Sequence, residues 1–305
     1  MKFQELNIVT GAFSYTGKYI TKRLISMGKK VKTLTGHPER RTSFSNQVSI
    51  APFNFDKPNE LVNSLKGAEV LYNTYWIRFP YGRITFDKAI ENTKILINAA
   101  GKAGIQRIVH ISITNASEES SLPYFRGKGI VENMIIRSGL PYAIIRPTVI
   151  FGIEDILINN IAWLLRKFPI FVVFGSGDYK LQPVFVEDVA DIAVNAAYKD
   201  DNIIIDAVGP EIYTFNELVK LIADKINRRV KIIHLKPIWT LLFSKLIGYM
   251  VNDVILTEDE IKGLMENLLI SENIPTGKTE ISEWLDKNAH SIGKMYASEL
   301  NRHYR

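Results

Sequence analysis

The sequence predicts an α/β protein built on a doubly wound parallel sheet, with a smaller, mainly helical lobe toward the C-terminus. Three observations carry this. A strand, a glycine turn and a helix start follow one another directly at Leu6-Asn7-Ile8-Val9, Thr10–Gly17 and Lys18–Ile25. Strand-like and helix-like segments then alternate with few long gaps as far as Pro147, which is the pattern of parallel strands joined by crossover helices. Beyond Pro147 the rhythm changes and helical periodicity dominates.

The elements read in order as follows. Residues 30–35 form the second strand and 48–55 the third, with Pro52 weakening its middle. A short helix over 60–65 leads to a fourth strand at 69–74. Residues 84–103 carry apolar side chains at helical spacing (Ile90, Leu96, Ile97, Ala100) and feed a fifth strand at 107–112. A helix around 128–138 precedes the sixth strand at 142–147, completing the six β units of a dinucleotide fold. Residues 148–182 read as irregular, 183–197 as a helix entered through Glu187-Asp188, and 202–208 as a strand. An amphipathic helix at 211–227, a strand at 230–235 and nearly continuous helix from Pro237 complete the chain.

The glycine turn is the most informative stretch. Gly11 permits the tight turn, position 14 is where a pyrophosphate comes closest to the backbone, and Gly17 lets the helix pack on the strand. The helix start directs unpaired N–H groups and a positive dipole end at whatever lies over the turn. Ser14 stands where the fingerprint has its middle glycine, and its hydroxyl can itself bond a phosphate oxygen.

Composition narrows the chemistry. A chain of 305 residues with no cysteine has no disulfide, thiolate nucleophile or Cys-ligated metal, and its five histidines lack metal-ligand spacing. The net charge of +6 suits an anionic cofactor but forms no basic block, so no nucleic-acid role is expected. With no apolar signal core before the first strand, a cytoplasmic protein is expected. The apolar run 237–251 is interrupted by Lys245 and closed by Asn252-Asp253, short of the ~20 residues of a bilayer span. It reads as a buried or substrate-covering helix, the alternative being a membrane-surface or partner helix.

The second constellation is Tyr124-Phe125-Arg126-Gly127-Lys128. Residues four apart share a helix face, so the phenol and the ammonium stand side by side. A neighbouring cation favours phenolate, and a tyrosine so tuned can pass a proton to or from a carbonyl or hydroxyl. Gly127 and Gly129 flank the lysine at a cost of ~1 kcal/mol each in helix propensity. Such glycines point to close packing against a ligand or helix, or to a frayed helix start.

Taken together, the Thr10–Gly17 turn, Asp56 after strand three, Asn73-Thr74 ending strand four, Tyr124/Lys128, Arg146-Pro147 ending strand six and 183–190 resemble the short-chain dehydrogenases/reductases. The likeness is to their extended or atypical branch: epimerase/dehydratase-like and NmrA-like members, with the accessory Rossmann subunit of respiratory complex I among them. The resemblance implies an NAD(P)-binding Rossmann domain of residues 1–147 plus about 183–208, and a substrate or cap lobe of 148–182 and 209–305. It implies cofactor contacts at Gly11, Phe13, Ser14, Tyr15, Thr16, Gly17, His37, Arg40, Asp56, Asn73, Tyr124, Lys128 and Pro147. Asp56 is expected near the adenine, its rival role being to cap the helix after Pro58.

Tyr124 is then the proton donor or base, Lys128 the ribose clamp and tuner of the phenol, and Ser112 or Thr114 the carbonyl polariser. Active relatives carry a Ser or Thr where this chain has Ile113. Strand two ends in Thr35-Gly36-His37-Pro38-Glu39-Arg40-Arg41, with no strand-end acid and two arginines close behind, which favours NADP over NAD. The resulting expectation is an NAD(P)-dependent oxidoreductase or epimerase/dehydratase-like enzyme, with a small carbonyl or sugar-derived substrate and a possible homodimeric state. The alternative is a non-catalytic NAD(P)-binding redox sensor or assembly subunit. Substrate contacts are expected from 75–81, 148–178 and 239–249.

Overall fold

The computed structural model describes residues 5–40 and 42–304, the side chains of Pro237, Thr240, Phe243 and His303 excepted. In chain order the first elements are β1 (Leu6–Thr10), α1 (Tyr15–Ser26), β2 (Lys30–Thr35), β3 (Val48–Pro52), α2 (Pro58–Leu65), β4 (Val70–Asn73), α3 (Phe86–Ala103), β5 (Arg107–Ile111), α4 (Pro123–Arg137) and β6 (Tyr142–Pro147). Next come β7 (Ile150–Phe151), α5 (Leu157–Lys167), β8 (Ile170–Phe174), β9 (Lys180–Leu181), β10 (Val184–Phe185), α6 (Val186–Ala196) and β11 (Ile203–Ala207). The chain closes with β12 (Tyr213–Thr214), α7 (Phe215–Lys225), β13 (Lys231–Leu235), α8 (Pro237–Val251), α9 (Glu258–Met265), α10 (Ile281–Asn288) and α11 (Glu299–His303).

The main sheet has seven strands in the order β11-β6-β5-β4-β1-β2-β3. Strands β1 to β6 pair in parallel, with Leu6 opposite Lys30 in β1·β2 and Asn7 opposite Val70 in β1·β4. The order reverses between β1 and β4, so the carboxyl ends of those two strands open a crevice where ligands of doubly wound sheets bind. Ile8, Leu71 and Ile108, from three neighbouring strands, are fully buried in one core cluster with Leu61, Leu65, Leu96 and Ile135 of the covering helices.

Two compact units divide the chain: Met1–Pro147 with Val186–Asp206, and Thr148–Phe185 with Ala207–Arg305. The second unit has its own core, in which Phe151, Leu181, Leu218, Ile222 and Leu285 are buried, and its longest strand pair is β8 with β13. Helix α7 is entered through a capping box in which Thr214 and Glu217 satisfy each other's backbone N–H groups.

Several boundaries differ from the sequence reading. Strand β3 stops at Pro52, and Asn54 then takes a left-handed conformation (φ 47°) that no strand continues. Helix α4 begins at Pro123, five residues earlier than expected, because a proline suits the first helical turn. Residues 148–182 are not irregular: α5 lies there, burying Ile158, Ile161, Ala162 and Leu165 at helical spacing, as does β8. The segment after Pro237 is interrupted, with no helix between Met265 and Ile281. Helix α8 is not buried, and one of its faces stands open to solvent.

Candidate functional site

The turn after β1 is shaped by its two glycines. Gly11 sits at φ +68°, a left-handed conformation that disfavours a side chain. A Cβ on Gly17 would lie 2.2 Å from the Gly11 carbonyl oxygen, so only a glycine lets α1 approach the turn this closely. The Ser14 backbone N–H donates to the Gly11 carbonyl at 2.8 Å and the Ser14 hydroxyl donates to the same oxygen at 2.6 Å. The hydroxyl proton thus closes the turn rather than pointing to a phosphate. Phe13 packs on Phe44 (centroids 6.2 Å apart) and Tyr15 edge-on against Tyr19 at 5.9 Å. Thr16 is half-buried in the first turn of α1.

The far wall of the crevice is braced from within. The Thr10 hydroxyl accepts the N–H groups of Thr74 (2.7 Å) and Tyr75 (3.0 Å), and it lies 3.2 Å from Asn73 Oδ1. Asn73 Nδ2 meets His110 Nδ1 at 3.1 Å. Since the amide donates, the imidazole proton sits on Nε2, which is buried without a partner. Burial first, then the charge of Lys128, pushes the His110 pKa well down and keeps the ring neutral. The Asn73 side chain is buried and bonded to Thr10, Tyr75 and His110, so it fastens β1, β4 and β5 together.

Helix α4 brings Tyr124 and Lys128 to this wall. Lys128 is buried; its Nζ donates to the Ile111 carbonyl at 2.8 Å and stands 4.9 Å from the centre of the Trp76 ring. Burial lowers its pKa to about 7, against a smaller upward pull from Glu132. The half-buried Tyr124 meets Trp76 and Phe86 edge-on at 6.2 and 6.1 Å. One indole therefore touches both members of the Tyr/Lys pair, and its Nε1 is buried without a hydrogen bond.

The glycines beside Lys128 have a packing cause. A Cβ on Gly127 would come within 2.8 Å of the Trp76 ring, and one on Gly129 within 2.3 Å of the Ser117 backbone. The neighbours are an indole and a loop, neither a ligand nor a helix, and α4 is not frayed there. One turn on, Glu132 is buried against Arg146, with Nε to Oε1 at 3.0 Å and Nη2 to Oε2 at 2.5 Å.

The candidate hydroxyls differ. Ser112 and Thr114 are both buried after β5, and their N–H groups donate to the carbonyls of Ile145 (2.7 Å) and Pro147 (3.0 Å). The Ser112 hydroxyl has no hydrogen-bond partner. Ile113 between them is half-buried.

At the end of β2, the His37 N–H donates to the Thr35 hydroxyl at 3.0 Å and its Nδ1 lies 3.4 Å from Glu39 Oε1. Arg40 N–H donates to the His37 carbonyl at 3.2 Å, while Arg41 lies outside the described residues. Asp56 is exposed in the turn before α2, whose N-cap is Lys57 with no side-chain cap bond. The capping role weighed for Asp56 is therefore excluded. Close by, Phe53 and Phe55 stack at 4.8 Å, and both rings contact Tyr75 at 5.1 and 5.2 Å.

Sequence reasoning passed over His110 and Glu132 as site residues, and it held Trp76 only within the expected substrate segment 75–81, not as a partner of Tyr124 and Lys128. The signal for Trp76 was present in Gly127, a helix-weakening residue that makes room for a ring. No local signal marks His110 or Glu132, whose partners lie 37 and 14 residues away.

The model of the NmrA-like family matches residues 4–288. Among curated proteins, the chain is 26% identical over 287 residues to the mitochondrial NADH dehydrogenase [ubiquinone] 1 alpha subcomplex subunit 9 of Arabidopsis thaliana, covering 87% of this chain and 71% of that one. Among solved structures, a nucleoside-diphosphate-sugar epimerase from Staphylococcus aureus superposes with a TM-score of 0.75 at 16% identity, covering 92% of this chain and 99% of that one. The triphenylmethane reductase of Citrobacter sp. complexed with NADP(H) gives a TM-score of 0.70 at 18% identity, covering 93% and 99%. At such identities the structural likeness is one of fold.

Proposed function

This chain belongs to the NmrA-like family, and from that premise we propose that it is a nicotinamide-dinucleotide enzyme of the reductase or epimerase/dehydratase kind, acting on a small carbonyl or sugar-derived substrate. The observation that carries the reading is that Tyr124 and Lys128 meet the same Trp76 ring while Lys128 donates to the Ile111 carbonyl, next in the chain to the unpartnered Ser112 hydroxyl. The Gly11–Gly17 turn and the start of α1 hold the diphosphate, since Gly17 lets α1 pack directly on the turn and so brings the helix's first N–H groups to it. When bound, the dinucleotide supplies the hydride donor or acceptor.

The residues of the chain do the rest. Ser112 offers its buried hydroxyl to a substrate oxygen, which makes it the better candidate of the two hydroxyls. Tyr124 gives or takes a proton at its phenolic oxygen, and Lys128 acts on the phenol through its charge. Contact between Lys128 and a ribose requires the ammonium to leave the Ile111 carbonyl and the Trp76 face. NADP is the favoured form, because Arg40 follows β2 and no carboxylate ends that strand.

A second reading, a dinucleotide-binding subunit without turnover, is supported by the indole lying over Lys128, by Ile113, and by the Arabidopsis relative being named a subunit of NADH dehydrogenase. The experiment that separates them combines titration calorimetry with a panel of carbonyl and sugar-nucleotide substrates. Tyr124→Phe should cut turnover by about 10²–10⁴ while cofactor affinity holds. Binding without turnover on the whole panel selects the second reading. No heat with any of NAD, NADH, NADP and NADPH overturns both.

A further inference from the structure

Helix α8 is fifteen residues long and, among its described side chains, rests on the second unit through one side: Leu241 packs against its core, and Ser244 and Gly248 are buried. Six large apolar side chains on the other side (Ile238, Trp239, Leu242, Leu246, Tyr249 and Met250) are 51 to 88% exposed. At about 100° per residue they fall within an arc of about 120°. Scattered apolar residues on a surface are ordinary, but a continuous face of six marks a contact surface.

The stretch of chain that carries this face has charge of one sign, the acid that reaches it being Glu258 of α9, which feels the charge of Lys245. From Lys225 through Asn252 there is no Asp or Glu, while Lys225, Arg228, Arg229, Lys231, Lys236 and Lys245 are all cationic. Those six charges equal the net charge of the whole chain, +6, so the rest of the molecule balances to zero. They form no contiguous block, which is why composition alone does not reveal them. Lys225 is ion-paired with Asp286. Arg228, Arg229, Lys231 and Lys236 are exposed on the segment leading into α8, and Lys245 is exposed at the edge of the apolar arc.

We propose that α8 seats the protein on the surface of an anionic lipid bilayer, its apolar arc in the headgroup–acyl boundary and its cations on the lipid phosphates. Fifteen residues rise only about 22 Å, short of a ~30 Å hydrocarbon core. Among the described residues no helix is long and apolar enough to cross a membrane. With one apolar face exposed and cations beside it, α8 would lie in the plane of the interface. Trp239 in its first turn and Tyr249 in its last are the two residue types that settle at headgroup level. A second copy of this chain is the poorer occupant, because a two-fold contact through this face would bring together two helices flanked by cations, Lys236 and Lys245 of each copy.

Vesicle co-sedimentation of the full chain tests the proposal, with phosphatidylcholine vesicles with and without phosphatidylglycerol. Binding is expected to the anionic vesicles, weakened by salt, with a blue shift of tryptophan emission. Leu242→Glu with Leu246→Glu should remove it. Both side chains are exposed, so circular dichroism and the melting temperature should stay those of the parent. Lys236→Gln with Lys245→Gln leaves the arc intact and should lower affinity for anionic vesicles about tenfold or more. No sedimentation with anionic vesicles, or sedimentation unchanged by either double variant, overturns the proposal. So does a dimer that Leu242→Glu with Leu246→Glu turns into a monomer while the parent ignores lipid.

Discussion

The Lys128 ammonium stands 4.9 Å above the centre of the Trp76 indole, and the same ring is received by a gap in α4 that only Gly127 leaves open. Lysine, indole and glycine form one packing unit: the ring covers the charge, and the missing Cβ lets the ring approach.

Gly127→Ala tests this unit. In an open helix the change would stabilise by ~1 kcal/mol. Here the new Cβ would sit 2.8 Å from the indole, and displacing the ring should destabilise the protein by about 1–3 kcal/mol. Trp76→Ala removes the obstacle, so the two changes should be strongly non-additive in urea melts. Simple additivity would show that the ring is not held there.

Lys128 gives the protein a pH dependence of definite sign. Burial lowers its pKa from 10.5 to about 7 in the folded protein. Between those values the unfolded chain binds more protons, so stability rises with pH from about 7 to about 10.5, and the penalty is fully present below that window. Lys128→Met should flatten this rise and raise the melting temperature most at pH 6. A Lys128→Met protein whose melting temperature tracks the parent's across pH 6–10 would contradict the assignment.

Gly17→Ala should lose dinucleotide binding by about tenfold or more, because the added methyl meets the Gly11 carbonyl at 2.2 Å and forces the turn away from α1. Calorimetry reads the affinity, and circular dichroism confirms that the sheet survives. Ser14→Ala removes only the 2.6 Å hydroxyl bond to the Gly11 carbonyl, and should cost about 0.5–1.5 kcal/mol of stability.

Cofactor choice should respond to Glu39. Its carboxylate lies 3.4 Å from His37 Nδ1, and a negative charge there opposes a 2′-phosphate. Glu39→Gln should therefore tighten NADP binding and leave NAD unchanged, whereas Arg40→Ala should weaken NADP by about 1–3 kcal/mol. Equal responses of the two cofactors would refute an NADP preference.

The sequence by itself determined the α/β class, the six parallel strands and the glycine turn, because these rest on local signals: apolar runs of strand length, helical periodicity, and glycines spaced for a turn. Cysteine chemistry was settled by composition alone. The same local logic failed over 148–182, where α5 lies in a stretch read as irregular. Tertiary structure alone decided which candidate residues face one another. Asn73 turned inward because Thr10 and His110, 63 and 37 residues away in the chain, supply its partners. Lys128 came to lie under Trp76 because β4 and α4 converge at one end of the sheet. The apolar run 237–251 reads as a buried or substrate-covering helix, or else a membrane-surface or partner helix, and six apolar residues of α8 are exposed rather than buried. Hydrophobicity states what a side chain would gain by leaving water, and only the packing of the rest of the chain decides whether a place exists for it to go.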